Sequence, residues 1–478
     1  MGGQGGVAGK EDRGGTLEII SNKNSKLQSG FRIHKKKLIM YNLMRSKIIL
    51  IVLLMAFLVP QISKAQDTRM ATIAAAPAGV PLLGDLKAAF DTLKFRSIRP
   101  AEGYIKYDYL IPAGFYKQMW DWDGFFIGCY LASHKQEDAK YLKGWVLNFV
   151  NSTDKDGYVP GCITTKGPRP IFGKFAMKPF LSQGAYFASL YGGSFAWITP
   201  VYDQLKKVLE YREKTQYDPK YGLFFWDIAI QSGADNNPAL TNDTNDRSAI
   251  LATDINTFQL REYISMMKIA QKLGKSGDVR IYKQKAETLK AKMLQYLWFP
   301  GEASFFNIRR DNGKVIQRVS YSNFVPLIQD ILPPDQAKEM IKRYLLAPDC
   351  MWSEYGIRSL SVRDPAYNNA CIIIPYSNWQ GPLWINANFL YTIALVRYGF
   401  KEEAGDVARK LAPVLLNDIK ANHSMHECYH AETGEPLAPT AAQSPNGIFT
   451  GFVGWNLLEQ NMLEGAETGN WMLLELEY

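Results

Sequence analysis

Asp235 lies in Gln231-Ser232-Gly233-Ala234-Asp235-Asn236-Asn237-Pro238, and Glu427 lies in His426-Glu427-Cys428-Tyr429-His430-Ala431-Glu432-Thr433-Gly434-Glu435-Pro436. Both segments are polar and rich in turn formers, the kind of loop that presents reactive groups. Two carboxyl groups facing each other across a pocket can cleave a glycosidic bond: one protonates the leaving oxygen, the other activates water or attacks. A separation of roughly 6.5–9.5 Å leaves room for water and inverts the anomeric centre, whereas about 5–5.5 Å gives retention. Asp227, Asp243 and Asp246 lie near Asp235 in sequence. An acid among other acids holds its proton more tightly, which suits a general acid. The same stretch also reads as an Asx turn, or as an Asp/Asn cluster over 235–246 holding a structural Ca²⁺, although its spacing is not that of an EF-hand loop.

Two further segments have the composition of a sugar pocket. In Trp120-Asp121-Trp122-Asp123-Gly124 indoles alternate with carboxylates just before a helix. Trp120 and Trp122 can stack on the apolar faces of pyranose rings while Asp121 and Asp123 accept hydroxyl hydrogen bonds. The competing reading is an Asp helix cap beside core tryptophans. In Tyr376-Ser377-Asn378-Trp379-Gln380-Gly381-Pro382-Leu383-Trp384, Tyr376, Trp379 and Trp384 can wall a pocket. Gln380, like Gln231 and Asn236 around the first acid, can bond hydroxyls. Pro382 suits the first turn of a helix, so helix-start packing is the alternative there.

Glu427 has a rival chemistry. His426-Glu427-Cys428-Tyr429-His430 matches H-E-x-x-H, in which two His one helical turn apart bind zinc and the Glu activates water. That reading, a zinc peptidase, needs a continuous helix and a third ligand, for which Glu459 is the candidate. Thr433-Gly434-Glu435-Pro436 stops any helix soon after His430. A third class is a carbohydrate-binding protein without turnover, which would not need an acid opposite Glu427.

These loops need a scaffold. Apolar residues recur at three- and four-residue intervals near 82–93, 122–135, 138–151, 183–191, 199–214, 254–273, 277–297, 323–331, 334–346, 382–398, 401–419 and 448–464. Alternating strand patterns are few and short, as in 222–226 and 304–308. A dozen helices without a compensating sheet predict an all-α fold, an (α/α)6 toroid with a few short β-hairpins in its loops.

The 478 residues are expected to divide into 1–43, a disordered leader or misassigned start, 44–65, a secretory signal peptide, and 66–478, a single (α/α)6-barrel catalytic domain. Arg45 and Lys47 precede the apolar run 48–60, and Ser63-Lys64-Ala65 offers a cleavage site before Gln66. The protein is therefore expected to be secreted or periplasmic, without stable membrane insertion. Residues 1–65 hold 11 Lys/Arg against 3 Asp/Glu, leaving 44 against 43 in the remainder, so +8 of the formal +9 belongs to those first residues. A near-neutral body gives no reason to expect nucleic acid as a partner. The five cysteines lack metal-type spacing, and the expected partner is a carbohydrate, with no cofactor required.

Taken in order, Trp120-Asp121-Trp122-Asp123-Gly124-Phe125-Phe126, Ser232-Gly233-Ala234-Asp235-Asn236, Asp254-Ile255-Asn256, Tyr376 to Trp384 and His426 to Gly434 resemble the helical-barrel glycosidases of glycoside hydrolase family 63 and the mannosylglycerate hydrolase-like enzymes related to it. More distantly the chain resembles trehalases. The resemblance implies inverting hydrolysis of an α-linked glycoside, a glucoside or mannoside, with Asp235 as general acid and Glu427 as general base. It also implies that the Trp-Asp-Trp-Asp segment and Trp379/Trp384 hold the sugar. Two departures stand out: Gln231 where the family often has Glu, and Gln380 where it commonly has Arg. Without that guanidinium, an anionic aglycone such as glycerate loses a bidentate partner, and a neutral di- or oligosaccharide is the expected substrate.

Overall fold

The computed structural model describes residues 82–170, 176–240, 249–371, 377–439, 442–443 and 446–477. The expected leader (1–43) and signal peptide (44–65) lie outside the described residues, as do Tyr376, Asp243 and Asp246. Among the described residues there are twelve α-helices. They are α1 (Leu82–Leu93), α2 (Asp121–His134), α3 (Ala139–Asn151), α4 (Leu181–Gly192), α5 (Tyr202–Thr215), α6 (Thr253–Lys272), α7 (Ser276–Tyr296), α8 (Tyr321–Phe324), α9 (Pro334–Met340), α10 (Ile385–Arg397), α11 (Lys401–Asn422) and α12 (Leu458–Thr468).

Burial sorts them into two rings. In α2 every residue from Asp121 to Ala132 is buried, and in α10 every residue from Ile385 to Val396. By contrast α7 buries only Tyr282, Ala286, Leu289 and Met293, one stripe at helical spacing, and α1 only Leu86, Phe90 and Leu93. Covered helices form the inner ring and striped ones the outer. Contacts run from α2 to α4, α4 to α6, α6 to the turn after α8, that turn to α10, α10 to α12, and α12 back to α2. The even-numbered helices thus close a six-membered ring backed by the odd-numbered ones, the (α/α)6 toroid.

Close approach within the rings depends on small residues. A Cβ at Gly124 would lie 2.4 Å from the Trp145 ring, and one at Gly184 2.6 Å from its other edge. Trp145 on α3 fills the space between α2 and α4 and is completely buried, worth about 2–3 kcal/mol for a large apolar side chain.

Three elements differ from expectation. Pro382 is not in a helical turn: Leu383 exchanges backbone hydrogen bonds with Tyr429 (2.7 and 3.1 Å), so the chain stays extended until α10 begins at Ile385. The last α-helix begins at Leu458 rather than near 448: Gly451 (φ +80°) and Gly454 (φ +25°) interrupt the approach, and only a 3-10 turn, Gly454–Leu457, precedes it. The strands also go beyond isolated hairpins. Tyr217–Asp218, Leu223–Trp226, Ile250–Leu251, Asn307–Arg309 and Val315–Ile316 join as one five-stranded antiparallel sheet. The five cysteines are free thiols, four of them buried. Among the described residues, no helix is long and apolar enough to cross a membrane.

Candidate active site

The loops around the candidate residues feed inner helices: 116–123 leads into α2, the loop carrying Lys178 into α4, 231–236 into α6, 377–384 into α10 and 426–430 towards α12. One end of the toroid therefore gathers them.

Asp121 and Asp123 occupy the first turn of α2, where the helix dipole favours negative charge. They behave differently. Asp121 accepts the Trp122 N–H (2.7 Å), the Lys178 backbone N–H (2.7 Å) and the Lys178 ammonium (3.1 Å), and is only 1 % exposed. Its carboxylate is the anchor of Lys178, which corrects the expectation that it meets sugar. Asp123 has no such side-chain cation bound to it among the described residues. Burial pushes its carboxyl up to about 8, with Asp121 and Asp235 adding to the rise and Lys178 opposing it. Lys178 also lies over the Trp122 ring, 5.7 Å from its centroid.

Asp235 sits two residues past Gly233, whose φ of +88° turns the chain. A Cβ there would come within 3.0 Å of Lys178 Cε and 3.1 Å of the Trp122 ring, so glycine is needed on both counts. Asp235 is partly open to solvent yet otherwise enclosed. Burial lifts its carboxyl to about 6, and the Ser377 hydroxyl, donating to Oδ2 at 2.7 Å, and the charge of Lys178 hold it down.

Glu427 is 3 % exposed. Tyr116 donates its hydroxyl to Oε1 at 3.3 Å, and Oε2 has no hydrogen-bond partner among the described residues. Burial, then the charges of Asp123 and Asp235, raise its carboxyl well above the ordinary glutamate range, against the Tyr116 hydrogen bond. Asp123, Asp235 and Glu427 thus share one field, with Lys178 the nearby cation and Tyr116 on the wall. The Tyr116 phenol is itself held neutral by burial and by those three carboxyls.

The remaining candidates divide. Trp120 keeps a half-buried indole, edge-on to Tyr116 at 6.1 Å. Trp122 and Trp379 are 3 % and 0 % exposed, and Trp384 is 1 % exposed. Trp379 and Trp384 stack face to face at 4.3 Å, and Trp455 closes on Trp384 and Trp122 at 5.9 and 5.8 Å. They form one packed aromatic cluster, and Trp384 is sealed under Trp379 instead of walling the pocket. Gln231 Oε1 accepts the Asp227 N–H. Asn236 Oδ1 accepts the Trp379 N–H at 2.6 Å, and its carbonyl accepts from Gln380, whose Oε1 accepts from Asn368. Gln231, Asn236 and Gln380 therefore brace loops, and the bonds from Asn236 are what carry Asp235 to the 377–380 segment. Asp254 and Asn256 are likewise structural, binding Trp226 and Tyr321, and the backbone of Phe224.

The zinc arrangement is overturned. Cys428–Tyr429 is a strand paired with Pro436–Leu437, so the two His share no helical face. His426 Nδ1 lies 3.0 Å from Asp418, and His430 Nδ1 accepts the Glu432 N–H. Glu459 is buried inside α12.

Tyr116, Lys178, Ser377 and Trp455 escaped the sequence reading. A tyrosine or lysine in a loop carries no local signal of its target; the partners lie far away in sequence.

Comparison with known proteins places the chain in a family and agrees with its fold. The family model described as the mannosylglycerate hydrolase MGH1-like glycoside hydrolase domain matches residues 116–446. A mannosyl-oligosaccharide glucosidase from Saccharomyces cerevisiae is 26% identical over 42% of this chain and 24% of its own length, and one from Arabidopsis thaliana 26% identical over 26% and 16%. The chain thus spans a quarter or less of those relatives. A solved glycoside hydrolase family 63 mannosylglycerate hydrolase from Thermus thermophilus, in complex with Tris and D-glycerate, superposes with a TM-score of 0.61 at 17% identity, covering 78% of this chain and 99% of that one. A neutral trehalase from Saccharomyces cerevisiae gives 0.55 at 15%, over 74% and 72%. On the strength of the matched 116–446 stretch, which contains Tyr116, Asp123, Lys178, Asp235 and Glu427, the chain belongs to the mannosylglycerate hydrolase MGH1-like glycoside hydrolases.

Proposed function

We propose that the protein hydrolyses an α-linked di- or oligosaccharide, releasing a glucosyl or mannosyl residue with inversion. The observation that carries this is the pairing of Asp235, partly open with its proton tightened to about 6, and Glu427, buried with one oxygen held by Tyr116 and the other uncommitted. Asp235 donates its proton to the glycosidic oxygen as the bond breaks through an oxocarbenium-like state. Glu427 Oε2 takes a proton from a water approaching the opposite face, while Tyr116 fixes the carboxylate. Asp123 bonds sugar hydroxyls, and Trp120 and Tyr116 offer ring faces to the pyranose. The sugar being cleaved is uncharged, since the chamber already gathers three carboxyls around one lysine and a further anion there would be repelled. That Gln380 is engaged at both ends of its amide agrees with a neutral sugar at this point.

A panel of α-linked di- and oligosaccharides, with the released anomer read by NMR, tests the reading. Release of the β-anomer is expected. Asp235→Asn and Glu427→Gln should each lower kcat by about 10²–10⁴-fold with an unchanged circular-dichroism spectrum. Turnover near wild type in both variants, or an α-anomer as first product, would overturn the assignment. Export through the segment 44–65 belongs to the same proposal. A mature protein beginning at Gln66 is the expected result of N-terminal sequencing, and a protein retained with its leader would refute it.

A further inference from the structure

Beside the catalytic chamber lies a second cavity of about 670 Å³, and Tyr116 is common to both. Its cations are Arg96, Arg99 and Lys117, with Glu102 the opposing charge. None of these four forms an ion pair among the described residues. Arg96 donates one N–H to the Thr450 carbonyl (3.3 Å), and Arg99 one to the Ile98 carbonyl (2.8 Å). Among the described residues each guanidinium makes one such bond, leaving further donors of its five for other partners. Burial raises the Tyr109 phenol, with the charge of Glu102 adding to the rise and Arg99 opposing it.

The cavity has a frame as well as a charge. Arg99 and Tyr109 are register partners in the antiparallel pair Ile98–Arg99 and Tyr109–Leu110. The turn delivering Tyr116 is fixed by Ala113 at φ +77° and by the Val453 and Gly454 N–H groups donating to the Pro112 carbonyl. A non-glycine residue held in the left-handed region costs about 1–3 kcal/mol and persists only where its surroundings enforce it. Arg96, Arg99, Glu102, Tyr109 and Thr450 all fall outside the 116–446 stretch that carries the family likeness. The two compartments meeting at Tyr116 are opposite in charge, one crowded with carboxyls and one with a cationic excess.

We infer that this cavity is a subsite for an acidic saccharide unit, one bearing a carboxylate or a sulfate ester, attached to the neutral sugar that the chamber cleaves. A planar carboxylate or a tetrahedral sulfate can accept forked N–H pairs from Arg96 and Arg99, with Lys117 adding an unfixed charge. Repulsion from the carboxyls keeps the acidic unit out of the cleavage position and attraction draws it past Tyr116, so charge alone orients the chain. This rests on the glycosidase reading above and names its substrate class.

The test uses matched α-linked di- and trisaccharides, neutral, carrying a uronic acid, or carrying a sulfate ester at either end. Wild-type protein should show KM roughly tenfold lower for an acidic member than for its neutral partner. The preference should weaken with added salt, and the carboxylate and sulfate arms identify which anion is read. Arg96→Gln with Arg99→Gln should erase the preference and leave kcat and KM for the neutral sugar within about twofold. Equal KM for acidic and neutral members, or a preference that survives the double substitution, overturns the subsite while leaving the glycosidase intact. Absence of turnover with every sugar sinks the glycosidase reading instead. In that case calorimetry with free glucuronic acid and a sulfated monosaccharide decides the subsite: binding to wild type, lost in the double variant, supports it, and no binding to wild type refutes it.

Discussion

Replacing Ser377 with Ala removes the hydroxyl that donates to Asp235 Oδ2 at 2.7 Å. The bond favours the ionised carboxylate, and with the charge of Lys178 it is what limits the upward push of burial to about 6. A hydrogen bond to a charged group contributes about 1.5–3 kcal/mol, and one pKa unit corresponds to about 1.4 kcal/mol, so its loss raises Asp235 by roughly one unit or somewhat more. The general acid works only while protonated. At pH 7 a group with pKa about 6 is about one-tenth protonated, and a unit higher it is about half protonated. The alkaline limb of kcat/KM should therefore move up by about one pH unit in Ser377→Ala, raising kcat/KM at pH 7 up to about fivefold. The acid limb, set by Glu427, should stay in place. Initial rates on one α-linked disaccharide from pH 4 to 9, for wild type and variant, measure both limbs. An alkaline limb that stays where it was, or moves down, would refute Asp235 as the acid or Ser377 as its holder.

Tyr116→Phe strips Glu427 Oε1 of its donor, so the carboxyl rises further. Because the base must be ionised, the acid limb should shift to higher pH and kcat fall about tenfold on the acidic side; an unmoved acid limb would exclude this role. Gly233→Ala forces a side chain into φ +88° and against Lys178 and Trp122, and should lose about 1–3 kcal/mol in urea unfolding together with activity. Lys178→Met leaves the Asp121 carboxylate buried and unpaired, a loss of about 3–5 kcal/mol by the same assay, partly recovered by adding Asp121→Asn; an undiminished midpoint in the single variant would show the pair to be inert.

The twelve helices were legible because each outer helix must alternate an apolar stripe with solvent-facing charge. α7 shows this directly, with its buried residues three and four apart. Boundaries failed where a long-range bond outweighed local preference. Pro382 suits a helical first turn, yet the Leu383–Tyr429 backbone pair holds it extended. The sheet was underestimated for the same reason, since its strands meet across distant segments. Among the site residues, the tryptophans and amides had the right composition for sugar binding but several of the wrong positions. Trp384 stacks beneath Trp379, and Asn236 and Gln380 tie loops. Composition reports that a segment is polar and aromatic; it does not report which way each side chain turns.

The amino-acid order alone was enough to set the number of helices, their pairing and the presence of two acids in turn-forming loops, because periodicity and turn chemistry act over a few residues. Folding decided everything that depends on neighbours distant along the chain. It sealed Asp121 against Lys178 while leaving Asp123 without such a partner, gave Asp235 a serine and Glu427 a tyrosine, and turned H-E-x-x-H into a strand with His426 bound to Asp418. It also placed a cavity with a cationic excess against Tyr116. The physical reason is that a carboxyl's proton affinity is set by burial and by charges brought within a few ångströms, and the toroid's closure, not the chain's local pattern, brings them there.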